Sequence, residues 1–288
     1  MHEVSSFWSG SELSWVEQFS IASFLRMGYK YKLYCFGNPP LGIPEGVDVL
    51  SSDSVIRDGI LSEIAEERPA LASDLFRYTL LSCQDTIWVD TDVINLGTYL
   101  PQTSYLFGHE SEVVINTGVL RYPQNSTLAR SLIAESFSNI EGWRKLSWGF
   151  LGPQLLTKTV KQVGHLNKTL PKSVFFEVTP FETWKFFDPK YCFEINSRTF
   201  DSYAIHIWNN VLIKSPLNLK KYRPPEHSFI WNLINELELS MIVENLPPFP
   251  PSCNLMCWKK ELKPPFLGKR IIKSLRRRLR TGRKLINV

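Results

Sequence analysis

The hydrophobic pattern opens with a short run, Val4-Ser5-Ser6-Phe7-Trp8, that stops at Ser9-Gly10 and reads as a strand. Over residues 12–27 the apolar positions Leu13, Val16, Phe19, Ile21, Phe24 and Leu25 recur near helical spacing, which predicts a helix ended by Gly28. Tyr31–Phe36 then predicts a second strand, closed by the turn residues Gly37-Asn38-Pro39-Pro40. Strand, helix and strand in quick succession are the opening of a parallel α/β sheet.

Residues 71–82 predict another amphipathic helix, which passes through Cys83-Gln84-Asp85 into a buried-type strand, Thr86-Ile87-Trp88-Val89. Further strands are expected at Val113–Ile115, Gly118–Arg121, Val174–Val178 and Tyr203–Ile207. Prolines interrupt 216–267, notably Pro247-Pro248-Phe249-Pro250-Pro251 and Pro264-Pro265. The division expected is a catalytic α/β domain over 1–215, a proline-rich, helical or irregular extension over 216–267, and a basic tail over 268–288. No internal repeat is evident.

Chemistry concentrates where the strand ending at Val89 releases Asp90-Thr91-Asp92. Two carboxylates two residues apart at a strand end can leave the pleat and converge on one divalent cation. Mn2+ and Mg2+ favour such oxygen ligands and keep positions open for phosphate oxygens. In open α/β sheets, ligands bind beyond the carboxyl ends of the strands. His206, after the run Tyr203–Ile205, is a candidate third ligand, since imidazole is a common partner of such ions. It also reads as a satisfied core histidine.

Ser73-Asp74-Leu75-Phe76-Arg77-Tyr78, followed by Trp88-Val89-Asp90-Thr91-Asp92-Val93, resembles the DXD sugar-binding glycosyltransferase family. That family includes α-1,4-galactosyltransferases and capsule and lipopolysaccharide transferases, with clostridial glucosylating toxins as distant relatives. Phe7-Trp8-Ser9-Gly10, Asn116-Thr117-Gly118-Val119, Gly152-Pro153-Gln154 and His206-Ile207-Trp208-Asn209 fit its motifs in order, so the likeness covers roughly residues 4–210. One departure is plain: Cys83-Gln84-Asp85-Thr86 stands where most members have Gly-Gly.

The resemblance implies a GT-A fold, with a mixed, mostly parallel sheet flanked by helices. It also implies a nucleotide-diphosphate sugar donor such as a UDP-sugar, a divalent metal, and transfer with retention of anomeric configuration. On this reading Trp8 stacks on the nucleotide base, although a core tryptophan is the equal alternative. Asp74 accepts hydrogen bonds from donor sugar hydroxyls, and Arg77, three residues on and on the same helix face, holds it; the plain alternative is a surface ion pair. Asp90 holds ribose or sugar hydroxyls beside the metal, and Asp92 is the firmer ligand. Trp208 or Asn209 reaches the diphosphate, while Asn116 and Gln154 line the sugar or serve as structural amides.

Composition changes this picture little. The 288 residues, 43% hydrophobic and 21% charged, suit an ordinary globular chain. No apolar run is long enough to span a bilayer, and the first residues lack the signature of a signal peptide, so a cytoplasmic protein is expected. Five scattered cysteines (35, 83, 192, 253, 257) fit free thiols better than disulfides, and Cys253-x-x-x-Cys257 lacks the second pair a zinc site needs.

Charge is more informative. Nine of the 33 basic residues fall in 268–288 without an acid, which leaves 24 basic against 28 acidic residues in the rest. Ile271, Ile272, Leu275 and Leu279 fall near one helical face of this tail, the pattern of a basic amphipathic helix on an anionic membrane surface. A peripheral enzyme acting on a glycan or lipid-linked glycan acceptor is the expectation. The acidic body offers no track for nucleic acid. The rival readings are a haloacid-dehalogenase-like phosphatase with Asp90 as nucleophile, and a carbohydrate-binding protein without catalysis.

Overall fold

The computed structural model describes residues 2–57, 59–215 and 218–249. The basic tail over 268–288, the Cys253–Cys257 pair and the later prolines lie outside the described residues.

Strand β1 (Glu3–Trp8) leads into helix α1 (Trp15–Arg26), then to β2 (Lys30–Cys35) and β3 (Val47–Ser51). Two helices follow, α2 (Gly59–Glu67) and α3 (Pro69–Cys83), before β4 (Ile87–Val89) and β5 (Val93–Asn95). Short strands β6 (His109–Ser111), β7 (Val114–Ile115) and β8 (Val119–Leu120) precede α4 (Thr127–Ser138) and α5 (Leu155–Gln162). The chain then forms α6 (Cys192–Arg198), β9 (Ala204–His206), α7 (Asn209–Ile213) and α8 (Phe229–Glu236).

Local chemistry sets the helix ends. Ser14 and Glu17 close a reciprocal capping box on α1, and Gly28 follows its end with φ +76°, a conformation other residues rarely adopt. Pro69 occupies the first turn of α3, where its missing N–H costs nothing.

The central sheet runs β3-β2-β1-β4-β8, parallel except for the last pair. Both faces are covered, as parallel sheets require. Phe7, Tyr34 and Trp88 point into a core shared with Leu75 and Phe76 of α3. Alternate residues Val4, Leu33, Ile87 and Val89 point the other way, into a core with Phe24, Phe175 and Phe176. A third core joins Trp15 and Phe19 of α1 to Phe186, Ile205 and the α8 residues Phe229, Ile230 and Ile234. The described part of 216–267 therefore packs against the first helix.

Residues 174–178, expected as a strand, are not one. A 3-10 turn covers Lys172–Val174, and the apolar run beyond it is buried by packing between two cores, Phe175 and Phe176 in one and Val178 in the other. Consecutive apolar residues here mark enclosure on all sides rather than sheet pairing.

The strand order reverses direction between β1 and β4. β1 leads outward to β2 and β3 on one side, while β4 returns on the other, so a crevice opens beyond the carboxyl ends of β1 and β4. Trp8 ends the first of these strands, and Asp90 immediately follows the second.

Candidate active site

Asp90 leaves β4 with its backbone N–H bonded to the Gly118 carbonyl at 2.8 Å. Its Oδ1 accepts from the Trp88 indole at 2.8 Å and lies 3.1 Å from the Arg77 guanidinium. Arg77 comes from the buried face of α3 and is shared widely: Asp74 is 3.3 Å away, and the Thr117 carbonyl accepts at 2.7 Å. The ring of Trp88 lies under the guanidinium at 4.8 Å, where the π face favours a cation. The helical spacing of Asp74 and Arg77 thus yields a buried pair, not the surface ion pair that was the alternative.

Two residues further on, Asp92 is fixed by a different part of the chain. β5 pairs antiparallel with β9, and the register sets Val93 opposite His206. This brings His206 Nε2 to 3.0 Å from Asp92 Oδ1. The other oxygen accepts the Asn209 backbone N–H at 2.7 Å. Trp208 makes that possible with a φ of 63°, costly for a residue other than glycine, and its ring stacks on His206 at 4.0 Å. One ligand atom each from Asp90, Asp92 and His206 lies within 4.8 Å of the other two.

Burial sets the electrostatics, and the partners decide its direction. For Asp92, burial alone raises the pKa, but His206, the Asn209 N–H and Lys220 together hold it below the usual carboxylate range. Burial alone lowers the pKa of His206, yet the facing Asp92 outweighs it and the net direction is up. Asp74 goes the other way: burial pushes it up to about 7, because Arg77 offsets that only in part and Asp90 adds repulsion. Arg77 is itself raised, since the two carboxylates outweigh its burial.

Two glycines allow this crowding. A Cβ at Gly118 would meet Asn116 Oδ1 at 2.9 Å and Asp90 Oδ2 at 3.2 Å. At Gly152 it would lie 2.7 Å from Asp74 Oδ2, so only glycine lets that loop rest on the carboxylate.

Other residues singled out from the sequence fall nearby, several with their polar groups engaged, while the buried Trp8 Nε1 and Asn209 Oδ1 have no hydrogen-bond partner among the described residues. Asn116 is buried, donating to Glu110 at 2.8 Å and accepting from the Gly118 N–H at 2.6 Å. Trp208 spends its indole N–H on the Val178 carbonyl at 3.0 Å. Gln154 is exposed and donates to the Trp148 carbonyl at 3.0 Å rather than to any carboxylate of the cluster. Trp8 is half-buried at the crevice, its ring over Gly10.

Sequence reasoning missed Glu17 and Lys220. Glu17 is fully buried, and its Oε1 accepts from Asn209 Nδ2 at 2.6 Å and from Lys220 Nζ. The Ser14-x-x-Glu17 spacing marks Glu17 as a helix cap, which conceals its second task. For Lys220, isolated between prolines and other lysines, no local pattern was available.

Residues 124–224 match the alpha 1,4-glycosyltransferase conserved region. Lactosylceramide 4-alpha-galactosyltransferase of Mus musculus is 31% identical over 149 residues, 48% of this chain and 40% of that protein. The Homo sapiens protein of the same name is 28% identical over 196 residues, 62% of this chain and 53% of its own length. A solved structure, the PaToxG glycosyltransferase, superposes with a TM-score of 0.44 at 16% identity, covering 58% of this chain and 73% of that one. The region match and the curated relatives make this chain similar to glycosyltransferases. Within that class its sequence is similar to the lactosylceramide 4-alpha-galactosyltransferases, of whose length it spans about half or less. Neither the phosphatase nor the binding-only alternative is favoured by these matches.

Proposed function

We propose that the chain is a metal-dependent glycosyltransferase that moves a sugar from a nucleotide-diphosphate donor, a UDP-sugar, to a glycan or glycolipid acceptor with retention of configuration. The observation that carries the proposal is the convergence of Asp90, Asp92 and His206 at the switch point of the sheet, one strand away from Trp8. Two carboxylates and an imidazole suit Mn2+ or Mg2+. Such an ion supplies Lewis acidity, neutralising charge on the departing diphosphate.

The remaining residues then divide the work of binding. Trp8 offers an aromatic face for the base. Asp74, held by Arg77 and pressed by Gly152, presents a carboxyl to donor sugar hydroxyls, and Asp90 shares that edge. Asn116 and Trp208 act through their neighbours, the first by shaping the Gly118 turn and the second by backing His206. Gln154 borders a shallow, largely apolar groove with Val113, Val114 and Thr157, suited to the acceptor side.

Incubation with Mn2+ and a panel of nucleotide sugars should release nucleoside diphosphate from one donor class. Phosphate release from sugar phosphates, with every nucleotide sugar left intact, would return the phosphatase reading. The lipid-linked form of the acceptor motivates a further part of the proposal, that residues 268–288 hold the enzyme reversibly on an anionic membrane. No helix among the described residues is long and apolar enough to cross one. Each cation near acidic lipid contributes about 1 kcal/mol, so the full chain should pellet with anionic vesicles at low salt while a chain ending at Leu267 should not. Equal pelleting of the two removes the membrane role.

A further inference from the structure

Lys220 lies near the end of the matched region 124–224, on a short 3-10 turn, Leu219–Lys221, far along the chain from the carboxylates. Its side chain is nevertheless only 11% exposed. The ammonium is bonded to the fully buried Glu17, and it lies 6.0 Å from the centre of the Trp8 ring. Through Glu17 it joins a continuous chain of contacts to the metal cluster. Glu17 accepts from the Asn209 side chain at 2.6 Å, and the Asn209 backbone N–H binds Asp92 at 2.7 Å. Lys220 is also among the charges that act directly on Asp92.

This position is linked to two landmarks of the proposed donor site. A base on Trp8 and a metal on Asp92 must be joined by a diphosphate, and Lys220 lies 6.0 Å from the Trp8 ring and reaches Asp92 through Glu17 and Asn209. The charge balance asks for a cation there. Asp90, Asp92 and a diphosphate exceed the charge of one divalent ion, while Arg77 is already shared between Asp74 and Asp90. An ammonium has three N–H donors, and Glu17 takes one in this structure.

We propose that Lys220 is a donor-binding residue whose ammonium neutralises the diphosphate, with Glu17 and Asn209 as the residues that position it. The proposal rests on the glycosyltransferase reading above and adds to it a specific source of diphosphate affinity. A structural role alone for the Glu17–Lys220 pair would weaken every ligand alike. A diphosphate-binding role discriminates between ligands that carry phosphate and those that do not.

The test is titration of the full chain, in Mn2+, with UDP and with uridine. Lys220→Ala should bind UDP at least about tenfold more weakly, the loss of one charge-assisted contact, and uridine within about twofold of wild type. Since this change strands the buried Glu17 carboxylate, the paired variant Glu17→Gln/Lys220→Met gives the same comparison without an unpaired buried charge. It should show the same split. UDP affinity at the wild-type level in a folded variant overturns the proposal, and so does an equal loss for UDP and uridine. Failure of the wild-type chain itself to bind UDP in Mn2+ would sink the donor reading and this proposal together, an outcome told apart by its appearing before any substitution.

Discussion

Arg77→Met should be the most damaging single change to the stability of this protein, lowering it by about 3–5 kcal/mol, the usual cost of stranding a buried charge. The methionine fills much the same volume, so the loss comes from what Arg77 holds. Asp74 and Asp90 both pair with it, and the Thr117 carbonyl loses a 2.7 Å bond. For a chain of this size the melting temperature should fall by roughly 10 °C.

The deficit has a pH signature with a definite sign. Asp74 already titrates at about 7 in the folded protein, above its unfolded value, because burial dominates. Its contribution to stability is therefore full below the unfolded pKa and is lost as pH rises through about 7. Without Arg77 that loss grows, so the variant should fall furthest behind wild type above neutral pH. Adding Asp74→Asn should recover part of the stability there and little below pH 4. Calorimetric melts of the three proteins across pH decide it; a pH-independent deficit would place the cost elsewhere.

Asp92→Asn should instead leave the fold intact and remove transfer. The asparagine keeps an oxygen for the Asn209 N–H, and its amide can face His206 once the imidazole proton moves to Nδ1, which has no partner among the described residues. What disappears is the negative charge that the proposed metal site depends on. A loss on the order of 10³-fold in donor turnover is expected from removing Lewis-acid stabilisation, matched by wild type in excess EDTA. A thermal melt near that of wild type must accompany it. Substantial turnover by the asparagine variant, unchanged by chelation, would exclude the metal assignment.

Much of the first half of the molecule was legible because its signals are local. The periods of β1, α1, β2, α3 and β4 are those of elements buried on known faces, and the predicted limits fall within a few residues of the observed ones. Asp90 and Asp92 were visible because a strand and its exit are contiguous in sequence. His206 was placed beside Asp92 by the β5–β9 pairing, which periodicity at either strand does not disclose. Glu17 and Lys220 were invisible for the same reason, being 203 residues apart and joined only by tertiary structure. The failed strand at 174–178 shows the limit of the apolar-run signal, which reports burial and is silent about pairing. Asn116 and Trp208 were found as residues, but their polar atoms proved to face Glu110, Gly118 and Val178.

The β5–β9 pairing also divides ownership of the candidate metal cluster. Asp90 and Asp92 precede the region matched to the glycosyltransferase family, whereas His206 falls inside it. The two carboxylates and the imidazole therefore come from distant stretches of chain, with His206 and Asp92, 114 residues apart, brought together where β9 pairs with β5. A descendant could retain every residue of 124–224 and still forfeit the cluster through one change upstream. Another could keep both acids and drift out of the family signature. The matched region thus contains the imidazole and neither carboxylate, and a survey of such chains by that region alone would leave the completeness of the cluster unexamined.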